Sequence, residues 1–264
     1  MTQATITVLG CGNSTGVPAI GNYWGACDPE ESKNNRSRSS IAFQTDKTTL
    51  IVDTGPNFRE QINRENIEKI DGVLYTHAHS DHINGIDELR VIHFRNKALV
   101  PIYGNAETLR DLKRRFDYLF DGGLIELYPP VLEPTEFKDA DFSTIQTFKD
   151  IKFTPFIQDH GSIESVGYRF GDFAYSVDMH NLDDKAIETL KGIRTWIVDC
   201  AGYHQADNKV HANIEQIYKF NEHIGAENVY LSSLSLSMDY ETLNKELKAG
   251  YAAAYDGLKF ECTF

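Results

Sequence analysis

The chain has 264 residues, of which 41% are hydrophobic, enough for a sizeable buried core. Its formal charge of −13 weighs against docking of a large nucleic acid or an anionic membrane, both of which call for a basic surface, but leaves a small anionic substrate open. The start, Met1-Thr2-Gln3-Ala4, has no basic segment leading into an apolar run, and no stretch reaches the ~18 apolar residues of a membrane span, so a cytoplasmic protein is expected.

Thr5 to Leu9 alternates as a strand and runs into Gly10-Cys11-Gly12-Asn13-Ser14-Thr15-Gly16-Val17-Pro18. The glycines suit either a turn over which backbone approaches a ligand or a plain connection, and spacing alone does not choose. Ile20 to Ser40 has little periodicity and carries Arg36 and Arg38, which are candidates for holding a phosphate or members of a solvated basic loop. Ser40 to Thr45 and Thr48 to Asp53 read as a hairpin around Asp46-Lys47, and Phe58 to Ile67 has helical spacing.

Val73-Leu74-Tyr75 then reads as a short strand feeding a loop, Thr76-His77-Ala78-His79-Ser80-Asp81-His82. Three of the nine histidines and one aspartate fall within these few positions. Such spacing lets His77 and His79 turn towards one point while Asp81 and His82 face a second. Two cations about 3.5 to 4 Å apart can activate a water between them.

Helices are expected over Asn84 to Phe94 and Glu107 to Phe116, with a strand at Val100 to Tyr103 between them. Leu124 to Phe156 reads as short strands punctuated by prolines. Ser165 to Phe170 and Phe173 to Asp178 form a second hairpin around Gly171-Asp172. Helix and strand then alternate: Asp183 to Leu190, Thr195 to Asp199, His211 to His223, Asn228 to Ser232, Tyr240 to Leu247. No linker interrupts this order, and hairpins followed by β-α alternation suggest a layered α/β domain. The cysteines, Cys11, Cys27, Cys200 and Cys262, are scattered without a Cys-x-x-Cys pair, so reduced thiols are expected.

The motif His77-x-His79-x-Asp81-His82 after a strand, with Asp53 closing an earlier strand, His160 in Gln158-Asp159-His160-Gly161 and Asp178 at a strand end, resembles the metallo-β-lactamase fold superfamily. The resemblance covers nearly the whole chain and implies a four-layer αββα sandwich over residues 1–264 as one domain. It implies two divalent cations, Zn2+ or, especially at the second position, Mn2+. His77, His79 and His160 would hold the first, and Asp81, His82 and a bridging Asp178 the second. Asp53 would orient ligands without binding metal. Alone, His160 also reads as an ordinary loop histidine and Asp178 as a turn carboxylate.

Within that superfamily the chain resembles the cyclic-phosphate phosphodiesterases of phosphonate breakdown through Leu9 to Pro18, and more distantly the tRNA 3′-processing endonuclease. His211 in His211-Ala212-Asn213-Ile214-Glu215-Gln216 resembles the histidine with which such enzymes protonate the leaving oxygen, although a helix-start histidine is also a cap or a surface residue. The reaction implied is attack of a metal-bound hydroxide, oriented by Asp81, on a small phosphodiester such as a ribose or nucleotide cyclic phosphate. Thioester or lactone hydrolysis and plain nucleotide binding are the alternatives. A homodimer is compatible with all of them.

The sequence departs from the family pattern in two places. Ser233, after Val229 to Ser232, stands where a further histidine ligand is expected, leaving the second metal short of one donor. Only Cys11 and Cys27 lie near the start, so the cysteine-bound structural zinc of some relatives is not expected.

Overall fold

In the computed structural model, residues 2–122 and 129–264 are described. The expected short strands of the middle segment therefore fall partly, over 124–128, outside the described residues.

The first sheet starts with β1 (Gln3–Gly10), β2 (Ser40–Gln44) and β3 (Thr49–Val52), paired antiparallel. It continues with β4 (Gly72–Leu74), β5 (Val100–Asn105) and β6 (Leu132–Phe137), all parallel. The second sheet repeats this switch. Antiparallel β7 (Gln146–Phe148), β8 (Ile151–His160), β9 (Ile163–Phe170) and β10 (Phe173–Ser176) lead into parallel β11 (Thr195–Asp199), β12 (Asn228–Ser232) and β13 (Tyr251–Ala253). Strand β14 (Lys259–Thr263) returns to the free edge of β1, so each sheet has seven strands among the described residues.

Period-two alternation explains the layering. In β2, Ile41 and Phe43 face the second sheet, while Ala42 faces the opposite layer; in β3, Leu50 and Val52 go inward and Ile51 outward. Between the sheets Phe43 stacks on Phe170 with ring centroids 4.3 Å apart. The outer face of the first sheet is covered by α1 (Phe58–Arg64), α2 (Ser80–Ile83), α3 (Leu89–Asn96), α4 (Ala106–Arg115) and α5 (Asp117–Phe120), which contribute Phe58, Ile83, Leu89, Leu112 and Leu119. On the far side, α6 (Asp184–Leu190) and α7 (Ile214–Ile224) bury Leu190, Ile217 and Ile224, and α8 (Tyr240–Glu246) buries Leu243. The result is the αββα arrangement the sequence implied.

Three local expectations change. The histidine loop is not all loop: Ser80–Ile83 closes one helical turn, with Asn84 N–H donating to the Ser80 carbonyl at 3.0 Å. The late helix opens at Ile214 rather than His211, because Asn213 and Gln216 cap it reciprocally, each side chain accepting from the other's backbone N–H at 3.0 Å. Pro155 does not end a strand. Its carbonyl accepts from Ser143 N–H at 2.7 Å, so its donorless nitrogen faces the same edge, beyond the end of β7, where no ladder bond is lost.

Truncating the inter-sheet stack should expose how much the two halves depend on each other. Phe43→Ala is expected to cost about 3–5 kcal/mol of stability, read from the midpoint of urea unfolding at an unchanged slope.

Candidate metal centre

Strands β3, β4, β10, β11 and β12 deliver their last residues to one end of the two sheets, where open α/β sheets place their ligands. Asp53 follows β3, His77 follows β4, Asp178 follows β10, Asp199 ends β11 and Ser233 follows β12. His160 ends β8, which runs in the same direction as β10 because both are antiparallel to β9. Residues separated by more than a hundred positions thus converge.

Asp178 is the focus. Its Oδ2 lies 3.5 Å from His77 Nε2, 3.3 Å from His82 Nε2 and 3.5 Å from His160 Nε2. Asp81 Oδ2 approaches His82 Nε2 at 3.3 Å. The His79 ring lies 4.5 Å from that of His77 and 5.2 Å from that of His160. Three overlapping donor groups share Asp178: His77, His79, His160 and Asp178 in the first, Asp81, His82 and Asp178 in the second, and Asp178, Asp199 and His211 in the third.

The hydrogen bonds behind these rings set their tautomers. Asp53 receives Thr76 N–H at 2.8 Å, the Thr76 hydroxyl at 2.8 Å and His82 Nδ1 at 2.7 Å. Burial pushes the Asp53 carboxyl up, but with donors on both oxygens only the carboxylate fits. His82 therefore carries its proton on Nδ1. The Thr76 hydroxyl, having given its proton to Asp53, accepts from His77 Nδ1 at 3.0 Å. His160 Nδ1 donates to the Val210 carbonyl at 2.8 Å. In neutral rings all three Nε2 atoms then present lone pairs, and they present them to a carboxylate.

Lone pairs facing an anion at 3.3–3.5 Å repel unless something positive lies between. His77 Nε2 is buried with no hydrogen-bond partner. Burial pushes the His77 imidazole well below its usual range, so it does not take up a proton to relieve the repulsion. Against the same penalty, Asp178 and Asp53 pull His82 well above its ordinary value, and the imidazoles hold Asp178 well below its own. The donor set, mixed imidazole and carboxylate with Nδ1 of His77, His82 and His160 anchored, fits divalent cations.

Beside the cluster stands a second pair. His211 Nδ1 bonds Asp199 Oδ2 at 2.6 Å, and Asp199 is itself held by Met179 N–H at 2.8 Å and Ala201 N–H at 2.7 Å. The His211 ring lies 5.2 Å from that of His160. Burial lowers the His211 pKa, but Asp199, followed by Asp178 and Asp81, overrides it and raises it to about 9. Asp199 escaped the sequence reading. The signal was there, since it closes a strand as Asp53 does.

The two arginines separate. Arg36 is 1% exposed, and its guanidinium donates to the Met238 carbonyl at 2.7 Å and to Asn34 Oδ1 at 3.0 Å. It braces the long loop against the segment after β12 and is not available to a phosphate, which corrects the expectation. Arg38 bonds Ser14 O and Asn57 Oδ1 at a partly exposed position beside Gly55, whose missing Cβ lets the Asp81 carbonyl approach. The glycine turn takes its connecting role: a Cβ on Gly12 would meet the Arg36 carbonyl at 2.8 Å, and Asn13 N–H donates to the Leu234 carbonyl at 3.2 Å. Ser233 reaches the centre indirectly, its hydroxyl donating to Asp178 Oδ1 at 3.3 Å.

Comparison with known proteins agrees with this geometry. Residues 48–232 match the beta-lactamase superfamily domain. The crystal structure of a diphosphatase from the PhnP family superposes with a TM-score of 0.86 at 34% identity, over 98% of this chain and 97% of that one. An octanoyltransferase of Porphyromonas gingivalis is 30% identical over 96% of this chain but 50% of its own length. Exodeoxyribonuclease YycJ of Bacillus anthracis is 26% identical over 59% of this chain and 55% of its own length. The chain thus spans about half the length of the curated relatives it matches. Among the described residues no helix is long and apolar enough to cross a membrane.

Two outcomes follow from the anchoring of the rings. Asp53→Asn should weaken cation binding about 10- to 100-fold, measured by competition with a chromophoric chelator, with the far-ultraviolet circular dichroism unchanged. Cation affinity should fall as pH falls, because His82, raised above its ordinary value, binds a proton that the cation must displace.

Proposed function

The chain belongs to the beta-lactamase superfamily, close to its PhnP branch, and from that membership and the geometry of the centre we propose that it is a metal-dependent phosphodiesterase acting on a small substrate. Residues 1–264 act as one catalytic unit. His77, His79, His160 and Asp178 would hold one cation, and Asp81, His82 and Asp178 the other. When bound, such cations supply an acidified water and neutralise the non-bridging phosphate oxygens.

The chain's own groups supply the rest. Asp81, whose side chain is 13% exposed at the opening, orients the water that attacks phosphorus. As the bond from phosphorus to the leaving oxygen breaks, His211 gives that oxygen the proton on Nε2, while Asp199 keeps Nδ1–H fixed and stabilises the imidazolium beforehand. Arg38, partly exposed, would pair with a phosphate oxygen.

The observation that carries this reading is the pair His211 and Asp199. Thioester hydrolysis, which releases a stable thiolate, needs no strong proton donor held at this position, whereas expulsion of an alkoxide from phosphorus does. The names of two relatives, a diphosphatase and an exodeoxyribonuclease, both denote cleavage at phosphorus. A net charge of −13 disfavours a long polyanion and supports a small ligand such as a ribose or nucleotide cyclic phosphate.

His211→Ala should lower turnover of an alkyl or ribose phosphodiester by about 10²- to 10⁴-fold while largely sparing a nitrophenyl ester and the metal content. Equal losses on both substrates would remove the proton-donor role. The pH profile gives an independent check. A donor with a pKa of about 9 works below that value and fails above it, so the alkaline limb for poor leaving groups should move to lower pH in Asp199→Asn, which removes the largest upward influence.

A further inference from the structure

We propose that the two cation positions are unequal: the first is closed by protein donors alone, while the second is completed by an oxygen of the phosphate ligand, so that cation and phosphate bind there together. This rests on the reading of the cluster as a two-cation centre.

The asymmetry lies in the donor count. The first group offers three imidazoles and one carboxylate, the four donors a tetrahedral cation such as Zn2+ takes. The second offers one imidazole and two carboxylates, and of these the Asp178 oxygen is shared. Among the described residues no fourth donor joins this group. Ser233, which follows β12, is buried and commits its hydroxyl to Asp178 Oδ1 and, at 3.5 Å, to the Ser39 hydroxyl. Ser233 therefore orients the carboxylate from behind, turning Oδ2 towards the imidazoles, and is a positioning residue rather than a ligand.

Chemistry sharpens the difference. Imidazole-rich sites suit zinc, whereas carboxylate-rich sites with open positions suit harder cations that keep outside oxygens, such as Mn2+. The open side of the second group adjoins Asp81, the most exposed of its members. A phosphate oxygen entering there gains a cation, and the cation gains a donor. By linkage, each must then strengthen the other's binding by the same factor.

The test is a binding measurement on the metal-free protein, independent of turnover. Zn2+ should be retained through gel filtration at one equivalent. Mn2+, followed calorimetrically, should then bind more weakly, with its affinity raised about tenfold or more by inorganic phosphate and the phosphate affinity raised equally by Mn2+. Asp81→Asn should lose the Mn2+ equivalent and keep the zinc. Ser233→His, if it folds, should make the second equivalent tight and indifferent to phosphate. Two equivalents retained alike without phosphate, Mn2+ affinity unmoved by phosphate, or loss of both ions in Asp81→Asn would each overturn the proposal. Absence of phosphodiester hydrolysis would leave these stoichiometries untouched and count against the proposed substrate alone.

Discussion

The arrangement turns on one electrostatic conflict: a buried carboxylate, Asp178, faced at 3.3–3.5 Å by three imidazole nitrogens whose protons are tied up elsewhere. A buried charge is tolerated only when it is paired. Where the rings are neutral its nearest neighbours are lone pairs, so the protein carries a demand for positive charge at one point. Protons can answer it in part, as the raised pKa of His82 shows, but His77 stays neutral and its Nε2 stays unpartnered. A divalent cation in each of the first two donor groups would answer it.

Keeping that conflict in place requires backbone that the chain would not otherwise adopt. Asp53, Asp178 and Ser233 all have left-handed backbone, with φ of +64°, +49° and +57°. A glycine would occupy such positions more cheaply, and a side chain there costs about 1–3 kcal/mol. Three such residues at the ends of three strands that converge on one point mark where local comfort yields to the placing of a carboxylate or hydroxyl. The hydrogen bonds that hold them, Thr76 to Asp53, Ser165 to the Asp178 carbonyl and Ser233 to Asp178 Oδ1, offset that strain.

The same device appears twice. In the first sheet the strand-end Asp53 holds Nδ1 of His82; in the second the strand-end Asp199 holds Nδ1 of His211. Identical chemistry serves different ends because the surroundings differ. His82 is buried among other donors and points its Nε2 at Asp178, while His211 lies at the edge of the cluster, partly open, with its pKa raised to about 9. Position, not residue type, separates an imidazole that faces the buried carboxylate from one at the edge of the cluster.

Much of this was legible in the chain itself. Alternation in the strands, the hairpin turns and the spacing of His77, His79, Asp81 and His82 are local properties, and local sterics and burial dictate them, so the layered α/β fold and the donor motif could be read in order. Other features depend on groups that meet only after folding. The sequence could not distinguish a buried Arg36, held by carbonyls some two hundred positions away, from a partly exposed Arg38 two residues on. Nor could it show that Asp199 stands behind His211, that His211 precedes its helix instead of opening it, or that Ser233 serves a carboxylate. The identity of a donor is written in its side chain, but its partner, its tautomer and its exposure are set by what the other strands bring to the same few ångströms, and only the closed sandwich brings them there.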